Sequence, residues 1–263
     1  MTNNVEDFLN FAIESIRCIG KDALVFYGKG SASMKFDENL VTEAELKVTQ
    51  RFESLLQNSY PGHKIFDPSD PPEGYTHDSS RYMWVLDPLD GLANFQAGIS
   101  VWGISLALLD NYWPVLGVFY MPTTNDIFYA TANGSAFWNN RELMPTNVKK
   151  VDNESVLLTT SRFHKIFKSS FPGKIMAMGC SGAHLCYTAC GRGDGVITAK
   201  ESYEGLAAVC VIAQSTGIQI FRMNGEPFSY AEYLEDRDTN EPLLMASPHI
   251  SDKIRQYIEF LPV

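Results

Sequence analysis

The chain has no apolar run approaching the roughly 20 residues that a membrane-spanning helix needs, so a bilayer span is not expected. Positive charge is also scarce. Lys and Arg number 21 against 31 Asp and Glu, a formal net charge of -10, which argues against nucleic acid as a partner because its backbone is gripped by clustered basic residues. A small phosphate can still be held by an acidic protein through a metal. Cysteine numbers five, with no CxxC spacing, which suits reduced buried thiols in a cytoplasmic protein better than a disulfide framework. Residues Met1 to Asp7 lack the basic start of a signal peptide. What remains is a chain of 263 residues, long enough for a large core. One compact unit of two halves, 1–150 and 151–263, is expected, joined across the polar, lysine-paired stretch from Met144 to Asp152.

The densest chemistry lies in Tyr82-Met83-Trp84-Val85-Leu86-Asp87-Pro88-Leu89-Asp90-Gly91-Leu92-Ala93-Asn94-Phe95. Tyr82 to Leu86 is apolar throughout and reads as a strand buried on both faces, with Asp87 at its carboxyl end, the edge where open α/β sheets place ligands. Pro88 stiffens the link to Asp90. Asp90-Gly91 can cap a short helix whose first N–H groups, on Gly91, Leu92 and Ala93, favour an anion. Two carboxylates this close repel unless a cation sits between them, and magnesium, resting on one or two carboxylates plus phosphate and water, suits the turn. A bare DxxD would more simply be a turn in which Asp87 bonds local N–H groups and Asp90 caps a helix; the Pro, Gly and Asn beside it shift the balance.

Trp84-Val85-Leu86-Asp87-Pro88-Leu89-Asp90-Gly91-Leu92-Ala93-Asn94-Phe95 resembles W-[IV]-[IL]-D-P-[IL]-D-G-T-x-N-F of the inositol monophosphatase family, magnesium-dependent phosphomonoesterases related to fructose-1,6-bisphosphatase. Only Leu92, where the family has threonine, departs from that pattern. The resemblance implies an α/β (α+β) fold, a layered α-β-α-β-α sandwich, and extends over nearly the whole chain. Val41-Thr42-Glu43-Ala44-Glu45 is similar to the family's V-T-x-x-D, which would make Glu45 a catalytic acid near the metal-bound water; the same residues also have the Thr-x-x-Glu form of a capping box, and capping is weighted first. Gly179-Cys180-Ser181-Gly182-Ala183 with Cys186 resembles the family's G-[ST]-A-A-x-x-x-C substrate loop, and Ser181 is also a candidate helix cap. Tyr203-Glu204 corresponds to W-D, an acid that binds the second metal and the substrate. Where the family has the first glutamate of G-E-E, a metal ligand, this chain has Pro68, so either Asp67 or Asp70 takes over or the site is one ligand poorer. Thr198 stands where inositol-specific members carry a glutamate, which leaves inositol specificity unsupported.

Elsewhere the chain reads simply. Val5, Phe8, Leu9, Ala12, Ile13 and Ile16 recur at helical spacing and predict a helix to about Tyr27. Gly28 to Asn39 reads as a loop, and Lys64 to Phe66 as a short strand. The β-type runs 99–109, 113–120, 127–132 and 135–138, broken at Asp110-Asn111, Thr123 to Asp126 and Asn133-Gly134, predict an antiparallel meander. Strands are expected at 156–160, 175–178, 218–221 and 243–246, and helices from Gly179 to about Gly191, from Tyr203 to about Thr216, and from Ser251. His184 reads as a packed or hydrogen-bonded histidine, since no second His or Cys stands at metal spacing.

The resemblance thus implies Mg2+ (or Mn2+) on Asp67, Asp87, the Leu89 carbonyl, Asp90 and Glu204. Catalysis would fall to Asp87, Asp90 and Glu45, and substrate binding to Gly91, Leu92, Ala93, Gly179, Ser181 and Glu204. The expected reaction is hydrolysis of a small inositol- or sugar-phosphate-like monoester by metal-activated water, in a cytoplasmic homodimer with no nucleic-acid or membrane partner. The alternative is a catalytically impaired member that binds or regulates.

Overall fold

The computed structural model describes residues 5–30, 36, 38–67, 81–111, 113–145, 149–230, 239 and 241–261. Helix α1 (Val5–Leu24) buries Phe8, Ala12, Ile16, Ile19 and Ala23, a stripe at three- and four-residue spacing. Its partner α2 (Glu38–Ser59) does the same with Val41, Ala44, Val48, Phe52 and Leu56. Because α2 begins at Glu38, with that acid in its first turn, Thr42 and Glu45 lie inside the helix, and the capping-box reading of these two residues is corrected.

Both helices pack on one face of a seven-stranded sheet in sequential order: β1 (Lys64–Ile65), β2 (Tyr82–Asp90), β3 (Gly103–Asp110), β4 (Trp113–Met121), β5 (Asp126–Thr131), β6 (Ala136–Trp138) and β7 (Arg141–Glu142). All neighbours are antiparallel except β1 with β2. The turns use the residues that tolerate left-handed backbone, with φ of 49° at Asn111, 58° at Asn125 and 62° at Asn133. Trp84, Leu86, Ile104, Leu106 and Val118 join α1 and α2 in one core, while Val85, Ala107, Leu109 and Phe119 point to the other face.

That other face carries α5 (Ser181–Ala189) and α6 (Tyr203–Ser215), the middle layer. A Cβ on Gly117 of β4 would run into the Ala208 carbonyl, so α6 lies backbone against backbone on the sheet. Beyond it comes a five-stranded sheet in the order β10 (Lys174–Met176), β8 (Val156–Thr159), β11 (Gly195–Thr198), β13 (Leu243–Ala246) and β12 (Gln219–Arg222). The outer layer holds α4 (Phe163–Ile166), α7 (Pro248–Arg255) and a ribbon of β9 (Phe167–Ser169) with β14 (Ile258–Phe260), sealed by Leu157, Ile197, Leu244, Ile250 and Ile254. The last helix begins at Pro248, three residues ahead of the sequence reading, because proline suits the first helical turn. The order of layers is helix, sheet, helix, sheet, helix.

Candidate active site

Strand β2 runs through the aspartates, and its pairing with β3 shifts register between Asp87 and Asp90, where Pro88 has no N–H to give the ladder. Asp87 sits opposite Ser105 in the ladder, on the face that looks toward α6. A Cβ built on Gly205, in the first turn of α6, would lie 3.6 Å from Asp87 Oδ2 and 3.9 Å from Glu201 Oε2. Asp90 instead reaches α5. Its Oδ1 accepts from the Ser181 N–H at 3.1 Å, and its Oδ2 accepts from the Gly182 N–H at 2.5 Å and from the Cys180 thiol at 3.2 Å. The open amides and positive end of α5 are thus met by a carboxylate from the other half of the chain.

This geometry corrects two expectations about caps. The start of α3 (Leu92–Ala97) has Gly91 at its N-cap with φ 87° and no side-chain cap, so Asp90 does not cap the helix that follows it. Ser181 caps nothing either. The residue preceding α5 is Cys180, and the Ser181 hydroxyl donates to Glu201 Oε1 at 2.9 Å.

The two turns are stapled together. Buried Asn94 donates from Nδ2 to the carbonyls of Val101 at 2.6 Å and Met178 at 2.7 Å. Gly179, at φ 79°, is packed so that a Cβ would come 3.0 Å from Asn94 Nδ2, and a Cβ on Gly91 would come 3.1 Å from that of Cys180. His184 accepts from the Met178 N–H at 2.9 Å through Nε2; burial lowers its pKa to about 4, so it is a neutral acceptor inside the fold. The sequence reading of a hydrogen-bonded histidine agrees.

The acids feel one another strongly. Withdrawal from water, then repulsion from Asp90, Glu204 and Glu45, pushes Asp87 up to about 8. Asp90 is also raised by withdrawal from water, against the lowering pull of the Gly182 N–H, the Cys180 thiol and the Ser181 N–H. Glu201 is pushed up to about 8 by withdrawal from water, then by Asp90 and Asp87, with the Ser181 hydrogen bond opposing. Glu45, half-buried on α2, is raised by withdrawal from water. The charges that act most on Asp87 are all negative.

Asp67 follows β1 and is exposed, while Pro68 and Asp70 lie outside the described residues. Leu89 is buried beside Asp90, Gly91 is half-buried and Ala93 is exposed. The Leu92 side chain packs against the core beneath α2. Among the described residues no three His, Cys, Asp or Glu side chains are spaced to hold a metal ion outright. The donors nevertheless fit a hard divalent cation. They are carboxylate oxygens, those of Asp87 under repulsion from neighbouring acids, joined by the Ser105 hydroxyl, which is buried opposite Asp87 with no hydrogen-bond partner among the described residues. Magnesium keeps several waters and rests on one or two carboxylates, so it needs no closed protein cage.

Residues 4–253 match the family model described as "Inositol monophosphatase family". The chain belongs to that family. An inositol monophosphatase from Mesembryanthemum crystallinum is 30% identical over 243 residues, 85% of this chain and 88% of that protein. A protein named Nus factor SuhB from Pasteurella multocida is 27% identical and covers 95% of both chains. Among solved structures, an IMPase from Thermotoga maritima superposes with a TM-score of 0.77 over 95% of this chain and 96% of its own, at 21% identity. The layered sandwich is thus the family fold.

Within this family member, one acid escapes sequence reading. Glu201 lies in the loop before α6, and nothing in its spacing from Asp87 or Asp90 announces that it meets them. The one available signal is position, since it stands three residues ahead of Glu204 where an acid already matches the family pattern. Thr198, by contrast, is buried in β11.

Proposed function

We propose that the protein is a divalent-metal-dependent phosphomonoesterase acting on a small phosphorylated metabolite. The observation that carries this reading is the pair Asp87 and Asp90 at the end of β2, Asp90 bonded to the start of α5, with Glu204 and Glu45 near enough for their charge to raise Asp87. Magnesium or manganese would be held by Asp87, Asp90, Glu204 and the Leu89 carbonyl, with Asp67, after β1, as a further candidate. When bound, such an ion supplies charge neutralisation at the phosphoryl oxygens and acidifies water.

The chain's own groups do the rest. The N–H groups of Gly91, Leu92 and Ala93 receive phosphoryl oxygens, and Gly179, Ser181 and Glu204 line the side where the leaving group sits. Glu45, with its raised pKa, is suited to take a proton from the attacking water. A P–O bond to water forms as the ester P–O bond breaks, and the leaving alkoxide takes a proton to become the alcohol. Measuring phosphate release from inositol phosphates, sugar phosphates and nucleotide phosphates, with and without Mg2+, tests the reading. Absence of turnover across the panel, or turnover indifferent to Asp90→Asn, sinks it.

A second reading, a binding or regulatory protein with impaired chemistry, is favoured by two positions. Leu92 replaces a hydroxyl that the resemblance assigns to orienting water and turns its side chain into the core. Pro68 replaces a ligand. The relative named Nus factor SuhB accords with such a role. A homodimer is supported by the exposed Ile175 and Met176 on edge strand β10, beside an apolar groove of about 390 Å³ lined by Trp138, Val156, Leu158, Met178 and Tyr187. Light scattering should return twice the 29.4 kDa chain mass. No described helix is long and apolar enough to cross a membrane, and the five cysteines are unpaired, which accords with a cytoplasmic location.

A further inference from the structure

Glu201 has no part in the reading above, yet the structure spends several interactions on placing it. Its main chain is held on both sides by buried Thr239, whose hydroxyl accepts from the Glu201 N–H at 2.9 Å and whose N–H donates to the Glu201 carbonyl at 2.9 Å. Its side chain is not needed as a helix cap. Ser202 already serves α6, accepting from the Gly205 N–H at 3.0 Å. The two carboxylate oxygens have separate surroundings: Oε1 accepts from the Ser181 hydroxyl, while Oε2 lies 3.9 Å from the position a Gly205 Cβ would take, a position that is also 3.2 Å from Ser202 Oγ and 3.6 Å from Asp87 Oδ2. Ser105, opposite Asp87 in the β2–β3 ladder, adds a buried hydroxyl with no hydrogen-bond partner among the described residues.

We propose that Glu201 is a ligand of the divalent cation, paired with Asp87 over the open face of Gly205, and that it replaces the acid missing at Pro68. The inference rests on the phosphatase reading, because it assumes that a cation is bound there. Three features fit together under it. A carboxylate aimed between two others is tolerable when a cation neutralises the group. A side chain at position 205 would fill the space the ion needs, whereas glycine leaves it open. An oxygen-only donor pair with a nearby hydroxyl suits magnesium or manganese, which complete their shell with water. The acid absent at position 68 is then supplied from the loop before α6.

Titration of the purified full chain with Mn2+, followed by the electron paramagnetic resonance of the free ion, tests this without reference to turnover. Glu201→Gln keeps an acceptor for Ser181 but removes the charge, and is expected to weaken Mn2+ binding at least ten-fold. Glu201→Asp should fall between it and the unaltered protein. Gly205→Ala, whose added Cβ would enter the open space at position 205 and come 3.2 Å from the capping Ser202 Oγ, should also weaken binding at least ten-fold. Should Glu201→Gln not fold, the aspartate and alanine variants carry the comparison. Mn2+ affinity in Glu201→Gln within two-fold of the unaltered protein overturns the inference and leaves the phosphatase reading standing. Failure of the unaltered protein to bind Mn2+ overturns both.

Discussion

Helices α5 and α6 lie side by side in the middle layer, but their first turns are satisfied in opposite ways. The start of α6 is met by Ser202, the residue immediately before it. The start of α5 finds no side-chain cap nearby and is met by Asp90, from the first half of the chain. A neighbouring cap stabilises a helix wherever that helix happens to be. A distant one forms only when the seven-stranded sheet and α5 are already packed together, so it ties the position of Asp90 to the folded whole. Here the same contact that finishes a helix also fixes one of the acids of the site.

The contrast can be broken most severely at the distant cap. Asp90→Asn removes the negative charge from the α5 start and from the cation seat, and phosphate release should fall on the order of 10²- to 10³-fold. Acid tests the next part of the same joint. His184 has an ordinary pKa of 6.5 and a folded-state pKa of about 4, so between those values the unfolded chain binds more protons than the native one. Its contribution is present above pH 6.5 and lost as pH falls through 4. The urea stability of the unaltered protein relative to His184→Gln should therefore shift by roughly 3 kcal/mol between pH 7 and pH 4. Asn94→Ala leaves the Val101 and Met178 carbonyls without their shared donor and should cost about 2 kcal/mol in a urea melt. The local cap should matter least. Ser202→Ala is expected to lower stability by about 1 kcal/mol, read from the same melts.

Legibility in the sequence follows the same division. The meander of β3 to β6 was readable because alternation, β-branched residues and Asn133-Gly134 act between neighbours. The apolar stripe of α1 was readable for the same reason. Thr42 and Glu45 had the letters of a capping box, but local letters do not say where a helix begins, and apolar Val41 with acidic Glu38 let α2 start a turn earlier. Asp90 was read as the cap of the helix beside it. Its carboxylate goes instead to Ser181 and Gly182, a pairing set by how two layers stack. The spacing of Asp87 and Asp90 at a strand end supplied those two as candidates, and the match to family motifs added Glu204. It was silent about Glu201, whose approach to Asp87 and Asp90 depends on the Thr239 clamp. Leu92 was legible as a departure, and its destination beneath α2 was not.

The seating of α6 against Gly117 has a mechanical consequence. With main chain resting on main chain, the helix can neither slide along the strand nor roll without lifting off the sheet, so its acid-bearing end stands at a fixed height above Asp87. Any retuning of that centre must come through reach: a longer side chain, such as Glu204 where the family pattern it resembles has aspartate, or a new arm entering from an adjoining loop.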